Sequence, residues 1–379
     1  MAVRRHTLSR FLLSASLLLP IAVAGDETGV ESRLSELLGS NDAAGFEKAI
    51  EPRDFVFPDD HGPHPGFRNE WWYVTGNLDG DGGRRFGFEL TIFRFALTPA
   101  LPPAESAWRS NQVYIAHFAV TDADRERFFA AERFSRGALG LAGAASSPFR
   151  VWIEDWSIAA TDAGPPEQWR LQASDPGFAV DLALTAAKAP VLNGNAGLSQ
   201  KSAEPGNASY YYSMPRWLTD GSLTLGDDTF SVSGLSWLDR EWSTSALGAD
   251  QLGWDWFALQ LSDGSDLMFY NLRKLDGSQD EQSAGTWIDP DGTSLHLDRD
   301  DVEITVTDTW ASPQGGIYPS AWILRAPQQG LELAIRPVMA DQELFTTVRY
   351  WEGAVDVQGE RHGVPIDGRG YVELTGYAE

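Results

Sequence analysis

Apolar and polar residues alternate in short runs through most of this chain, and Gly, Asp and Pro interrupt the runs at close intervals. That pattern predicts antiparallel strands joined by tight turns, and no long helical periodicity competes with it. Two of the predicted hairpins look alike. Trp71-Trp72-Tyr73-Val74-Thr75-Gly76-Asn77-Leu78 passes an Asp79-Gly80 turn into 86–94, and Trp254-Asp255-Trp256-Phe257-Ala258-Leu259-Gln260-Leu261 passes Asp263-Gly264 into 267–273. Each opens on Trp and closes on Arg (Arg94, Arg273), and 217–225 echoes 351–357 in the same way. The repetition predicts a duplicated all-β chain whose halves close as barrels or sandwiches, with paired tryptophans at the mouth of each sheet where an apolar ligand can be held. Further strands are expected at 113–121, 149–158, 169–173, 178–185 and 229–233, then at 284–288, 302–307, 320–326, 331–337 and 369–374. Extra residues of the first half are expected at 97–103 and 138–148, and the boundary between halves within 233–253.

The beginning of the chain follows another rule. Arg4, Arg5 and Arg10 precede an apolar run and an Ala22-Val23-Ala24 site, which reads as a signal peptide over 1–24 and therefore as export, periplasmic or extracellular. Arg4-Arg5 raises the twin-arginine route, although His6-Thr7-Leu8 fits that motif poorly. Residues 25–53, with Leu34, Leu37, Leu38, Phe46 and Ile50, predict a short helical lead-in, and the Pro and Gly of 54–68 a fixed loop delivering Glu70 to the first strand. No later stretch reaches the roughly 18 apolar residues that span a bilayer, so the mature chain is not expected to be integral to the membrane. Removing three Arg and no acid takes the formal charge from −25 to about −28, a surface that repels nucleic acid. There is no cysteine, which excludes disulfides, thiolate metal sites and a cysteine nucleophile.

The densest polar motif is Gly234-Leu235-Ser236-Trp237-Leu238-Asp239-Arg240-Glu241-Trp242. In extended chain Asp239 and Glu241 share one side with Trp237, while Arg240 and Trp242 share the other. A carboxyl beside indole is poorly solvated, titrates high and can donate a proton near neutral pH, so Asp239 and Glu241 are candidate acids; the alternative is an acid–Arg pair pinning the junction of the two halves. Glu70 before Trp71-Trp72, and Asp255 between Trp254 and Trp256, repeat the theme of an acid among tryptophans. Aromatic faces stabilise a cation, so such a pocket suits a carbocation, with Trp242, Trp254 and Trp256 along its path and Arg240 holding a polar end. Trp71, Trp72 and Tyr270 complete the candidate ligand-binding set; filling of barrel cores is the competing fate of these tryptophans. His117 alternates with Ile115 and Ala119, a face expected to look inward, as a core residue or as a shuttle that positions water together with Asp255. His61 and His64 stand among prolines and are not expected to ligate metal; Asp289-Pro290-Asp291-Gly292 reads as a turn, and no metal or cofactor is expected. G-x-S-x-G, P-loop, G-x-G-x-x-G and H-E-x-x-H motifs are absent, which leaves a serine hydrolase without local support.

Over about residues 46 to 377 the chain resembles the AttH-like branch of the carotenoid 1,2-hydratase (hydroxyneurosporene synthase) family. The resemblance rests on Phe57-Pro58-Asp59-Asp60-His61-Gly62, on Glu70 through Leu78, on Trp237-Leu238-Asp239-Arg240-Glu241-Trp242-Ser243, on Gly253-Trp254-Asp255-Trp256-Phe257, on Tyr350-Trp351-Glu352-Gly353-Ala354-Val355 and on Gly370 through Tyr377. It implies two tandem lipocalin-like antiparallel β-barrels, placed here at 54–236 and 237–379, that bind a lipophilic polyene- or isoprenoid-like molecule. It also implies a hydro-lyase adding water to an alkene. Hydratases usually read Asp-His-Asn-Trp where this chain has Asp239-Arg240-Glu241-Trp242, so Arg240 and Glu241 depart from that pattern. The alternative belongs to a second class: a non-catalytic periplasmic lipid carrier or adaptor working with an ABC exporter, since members of the branch that this chain resembles tend to be encoded beside exporter permeases.

Overall fold

The structure is a computed structural model of the chain and describes residues 44–378 except 102, 104, 163–166, 246 and 249. The expected signal peptide and most of the lead-in lie outside the described residues. Residues 44–53 form turns and extended chain rather than a helix.

The first sheet has 13 strands: β1 (Asn69–Gly80), β2 (Arg84–Ala96), β3 (Gln112–Asp122), β4 (Arg127–Arg136), β5 (Ala142–Ser146), β6 (Phe149–Ile153), β7 (Trp156–Asp162), β8 (Gln168–Asp175), β9 (Phe178–Ala186), β10 (Val191–Leu192), β11 (Leu198–Gln200), β12 (Ala208–Leu225) and β13 (Asp228–Ser243). The second has 10: β14 (Gln251–Leu261), β15 (Asp266–Lys274), β16 (Ala284–Ile288), β17 (Ser294–Asp298), β18 (Glu303–Ala311), β19 (Ile317–Ala326), β20 (Leu331–Pro337), β21 (Glu343–Phe345), β22 (Arg349–Arg361) and β23 (Val364–Leu374). Strand order shows the duplication directly. β3-β2-β1-β13-β12-β9-β8-β7 in one sheet corresponds to β16-β15-β14-β23-β22-β20-β19-β18 in the other. The look-alike hairpins β1–β2 and β14–β15 hold equivalent places, as do β12 and β22, which carry the second echo. The sheets curl into a near-barrel and a half-barrel, in keeping with tandem lipocalin-like domains. Across the open seam of the first, Arg133 of β4 pairs with Asp155 and covers Trp156 of β7.

Alternation sets which side chains enter each interior. Trp72, Phe88, Phe118, Trp156, Trp169, Trp217 and Trp242 fill the first, and Phe257, Trp322, Leu333, Trp351 and Val372 the second. Both interiors are packed cores, so an indole-lined chamber inside either barrel is not what the sequence builds. The residues of opposite parity on β1, β2, β3 and β13 face the second sheet instead, and those on β14, β15, β22 and β23 face the first.

Polar contacts fix the two barrels to each other. Asp266 accepts Lys188 Nζ at 2.7 Å and Arg216 Nη2 at 2.6 Å, Gln260 Nε2 donates to the Pro215 and Ser236 carbonyls, and Asn77 Nδ2 donates to the Gly370 carbonyl at 2.9 Å. At Gly87 the barrels approach so closely that a Cβ there would lie 2.7 Å from that of Ala354. The division expected at 236/237 cuts a strand: β13 runs on to Ser243, paired with β1 throughout, and the chain crosses between Ser243 and Gln251.

Candidate active site

Between the barrels lies a cleft of about 1030 Å³ including its open mouth. Its aromatic walls come from both sheets: Trp71, Tyr73, Phe93 and Tyr211 from the first, Trp254, Trp256, Tyr270 and Tyr350 from the second. Register explains the polar set. Asp239, Tyr73, Thr91, His117 and Glu132 are successive cross-strand partners on β13, β1, β2, β3 and β4, one row across the outer face of the first barrel. Tyr270, Trp256, Glu373 and Glu352 form the corresponding row on β15, β14, β23 and β22. With neighbouring strands roughly 4.8 Å apart, three spacings put Asp239 and His117 roughly 14 Å from one another, at different ends of the cleft.

At one end, Asp239 is surrounded by donors. Ser213 Oγ (2.5 Å), Trp237 Nε1 (2.7 Å) and the Tyr211 hydroxyl all donate to it, and Tyr211 in turn accepts Trp256 Nε1 at 3.2 Å. Burial pushes its carboxyl up to about 6 despite those donors, with the Glu241 charge adding to the rise. Glu241 forms an ion pair with Lys201 Nζ at 3.1 Å. The Lys201 ammonium lies 4.2 Å from the centre of the Tyr270 ring, and Tyr270 hydrogen-bonds Ser199 at 2.8 Å.

At the other end His117 links the barrels. Its Nε2 lies 3.0 Å from Glu132 Oε1 and its Nδ1 2.5 Å from the Tyr350 hydroxyl. Burial opposes the charge on Glu132, but hydrogen bonds from His117 and Thr347 outweigh it and hold the carboxyl below its usual range. An ionised Glu132 accepts only, so Nε2 carries a proton, and in the neutral imidazole Nδ1 is then the acceptor that faces Tyr350. Beside this chain stand three glutamates. Glu89 and Glu352 are fully buried, and Glu373 lines the cleft. Burial, with only Thr91 and backbone donors in opposition, pushes Glu89 up to about 8. Burial raises Glu373 to about 8 as well, assisted by the charges of Glu89, Asp239 and Glu241, and burial with the charges of Glu89 and Glu373 drives Glu352 well up. Three carboxyls buried this close together resist ionising at once, which favours protonated forms able to donate a proton near neutral pH.

Of the residues singled out from sequence, Asp239, Glu241, His117, Trp71, Trp254, Trp256 and Tyr270 meet in this cleft. The others do not. Glu70 is buried inside the first barrel, paired with Arg94 and Arg240; burial acts to raise its pKa, but the two guanidiniums win and hold it far below the usual range. Arg240 stacks 4.0 Å over Trp72 and donates to the Gly62 carbonyl at 2.6 Å, and Trp242 stacks on His64 at 3.7 Å. These four pin the end of the barrel, so Arg240 reaches no ligand in the cleft. Asp255 points away between Trp254 and Trp256, held by Arg273 Nε (3.0 Å), Asn271 (3.2 Å) and the Tyr377 hydroxyl (2.9 Å). His117 shares its face with Ile115 as expected, but that face looks toward the second barrel; Ala116, Phe118 and Val120 look inward. Sequence reasoning missed Glu89, Glu352, Glu373, Lys201, Tyr350 and Tyr211. The available signal was a Glu flanked by apolar or small residues in each of three strands: Phe88-Glu89-Leu90, Trp351-Glu352-Gly353 and Val372-Glu373-Leu374.

Residues 48–377, which include both sheets and every residue of the cleft, match the AttH-like family. The chain belongs to this family. A crystal structure of an AttH-type protein from Nitrosomonas europaea is 33% identical, with a TM-score of 0.78 over 88% of this chain and 100% of that one. Kievitone hydratase from Nectria haematococca, 17% identical, shares the fold with a TM-score of 0.65 over 88% of this chain and 98% of its own. The dehydratase asqC of Emericella nidulans is 24% identical over 233 residues, 54% of this chain and 60% of that protein. This AttH-like chain therefore has neighbours named for adding water and for removing it. Among the described residues no helix is long and apolar enough to cross a membrane.

Proposed function

We propose that this AttH-like protein is an exported hydro-lyase that adds water to, or removes it from, an alkene of a polyene- or isoprenoid-like molecule held between its barrels. The observation that carries the reading is the meeting of neutral glutamic acids with the Tyr350–His117–Glu132 chain in one aromatic cleft. Hydration needs a proton for one alkene carbon and a base for the water that attacks the other. Glu373 O–H supplies the proton as the π pair becomes a C–H bond, and the aromatic walls and the glutamate left behind hold the positive charge. Water adds to the cation and releases its proton to Tyr350, whose own proton passes to His117 Nδ1; return of that proton to Glu373 closes the cycle. Asp239, already accepting from three donors, organises Tyr211 and Trp256 at the far end rather than donating.

The test is incubation with prenylated phenols and acyclic carotenoids in water carrying heavy oxygen, followed by mass spectrometry. Wild type is expected to yield product with one labelled oxygen, and Glu373→Gln to bind the substrate without forming it. Equal conversion by the variant overturns the acid assignment. Tight binding without conversion by any form overturns the enzyme reading in favour of a carrier. Export is tested by N-terminal sequencing of periplasmic protein, expected to begin at Gly25.

A further inference from the structure

We propose that Glu352 and Glu89, with Glu373 at the cleft's edge and the hydroxyls of Tyr73 and Tyr371, form a subsite that receives a positive charge carried on an apolar skeleton. The inference rests on the cleft being the ligand site. Buried polar atoms in folded proteins are nearly always satisfied, because each one left alone keeps the full cost of its lost hydration. Here several are left alone in one place. Glu89 Oε2 and the Tyr371 hydroxyl have no hydrogen-bond partner, and the two carboxyl oxygens of Glu352 have only the hydroxyls of Tyr73 and Tyr350 beside them, neither in good hydrogen-bond geometry; Glu352 and Tyr73 line the cleft.

Charge is missing as well as hydrogen bonds. Other buried acids among the described residues have partners: Glu70 has Arg94 and Arg240, Asp266 has Lys188 and Arg216, Glu241 has Lys201, and Asp239, without a cation, has three hydrogen-bond donors. The charges acting on Glu352 are those of Glu89 and Glu373, which are acids too. Tyr73 and Tyr350 lie near enough to favour its ionised form, yet the Tyr350 hydroxyl is engaged by His117. A ligand bringing a positive charge would let one glutamate ionise and give the stranded acceptors a partner, while the surrounding rings add cation–π attraction. Two sources share this chemistry: a protonated amine borne by the substrate, and a carbocation formed during turnover. The unpaired acceptors favour N–H donors, which separates the two.

The experiment is calorimetric titration of the full protein at pH 7 with octylammonium, octyltrimethylammonium and 1-octanol, in two buffers of different ionisation enthalpy. The cations are expected to bind at least about tenfold tighter than the alcohol, with release of about one proton per ligand as a neutral acid ionises. In Glu352→Gln the preference should fall by about tenfold while octanol affinity holds. Equal binding of the primary and quaternary ions supports the subsite with the charge resting on a carbon skeleton, and tighter binding of the primary ion supports it as an amine site. If octanol matches both cations and no proton is released, the subsite is overturned and the cleft remains a ligand site. If none of the three binds, the cleft reading falls with it. The proton count on wild type stands even where the variant fails to fold.

Discussion

His117 Nδ1, on the third strand of the first barrel, shares a hydrogen bond of 2.5 Å with the hydroxyl of Tyr350, on the second barrel and 233 positions further along. Neither barrel alone contains this pair. Docking of the two sheets therefore assembles the base, just as it brings Glu89 of one barrel beside Glu352 and Glu373 of the other.

Tyr350→Phe keeps the ring and removes the hydroxyl that hands a proton to His117. The reaction of the proposed function should lose roughly 10²-fold or more in kcat with little change in KM, the signature of an interaction made in the transition state. Steady-state kinetics on the converted substrate measures it; a rise in KM at constant kcat would mean that Tyr350 only binds.

The buried glutamates make stability depend on pH with an unusual sign. An unfolded chain releases these protons near the ordinary carboxyl value of 4.5, whereas Glu89 and Glu373 in the fold hold them to about 8. Between those values the folded state binds more protons, so their contribution to stability falls as pH rises from about 4.5 to 8. Glu89→Gln, neutral at every pH, should flatten this decline and melt higher than wild type at pH 8.5. Thermal melts across pH 5 to 9 test it, and parallel curves for the two proteins would show that Glu89 is ionised in the fold.

Glu70→Gln should be costly for a different reason. It strands Arg94 and Arg240, each 1% exposed or less, and breaking a buried ion network on one side costs about 3–5 kcal/mol. Chemical denaturation reads the loss. Asp239→Asn should cost less, about 1–3 kcal/mol, because its amide turns an N–H toward donors that had met an acceptor.

Much of this arrangement was legible in the alternation. The echo of 71–78 in 254–261 gave the duplication, and the parity of 239–242 separated Asp239 and Glu241 from Arg240 and Trp242 as the structure does. Which parity faces the ligand was not legible. Strands β1, β2, β13 and β22 are buried on both faces over much of their length, so no wet side marks the outside of the barrel, and a Trp suits the core at 72 as well as the cleft at 71. Ile115 and Ala119 made His117 look interior for the same reason: their apolar surroundings belong to the other barrel. Pairing Glu89 on β2 with Glu352 on β22 and Glu373 on β23 requires the docking of the two sheets, which a pattern within one strand does not encode.

That docking turns on a small volume. A Cβ at Gly87 would lie 2.7 Å from the Ala354 Cβ and 3.4 Å from Thr121 Cβ, and the first distance is too short for two carbon atoms. Gly87→Ala must therefore move the sheets apart locally. Glu89 is two residues along β2 on the same face, and Glu352 is two residues along β22 from Ala354, so the glutamate cluster lies directly beside the contact. Overpacking of this kind costs about 1–3 kcal/mol, and a shift of a few tenths of an ångström stretches the His117–Tyr350 bond as well. Gly87→Ala should thus lower both stability and turnover. Ala354→Gly, harmless to the contact on its own, should restore most of both in the double variant, because it returns the volume that the new methyl takes. A double-mutant cycle read by denaturation and by kcat makes the case: additive losses would mean that Gly87 serves its own strand and not the approach of the two barrels.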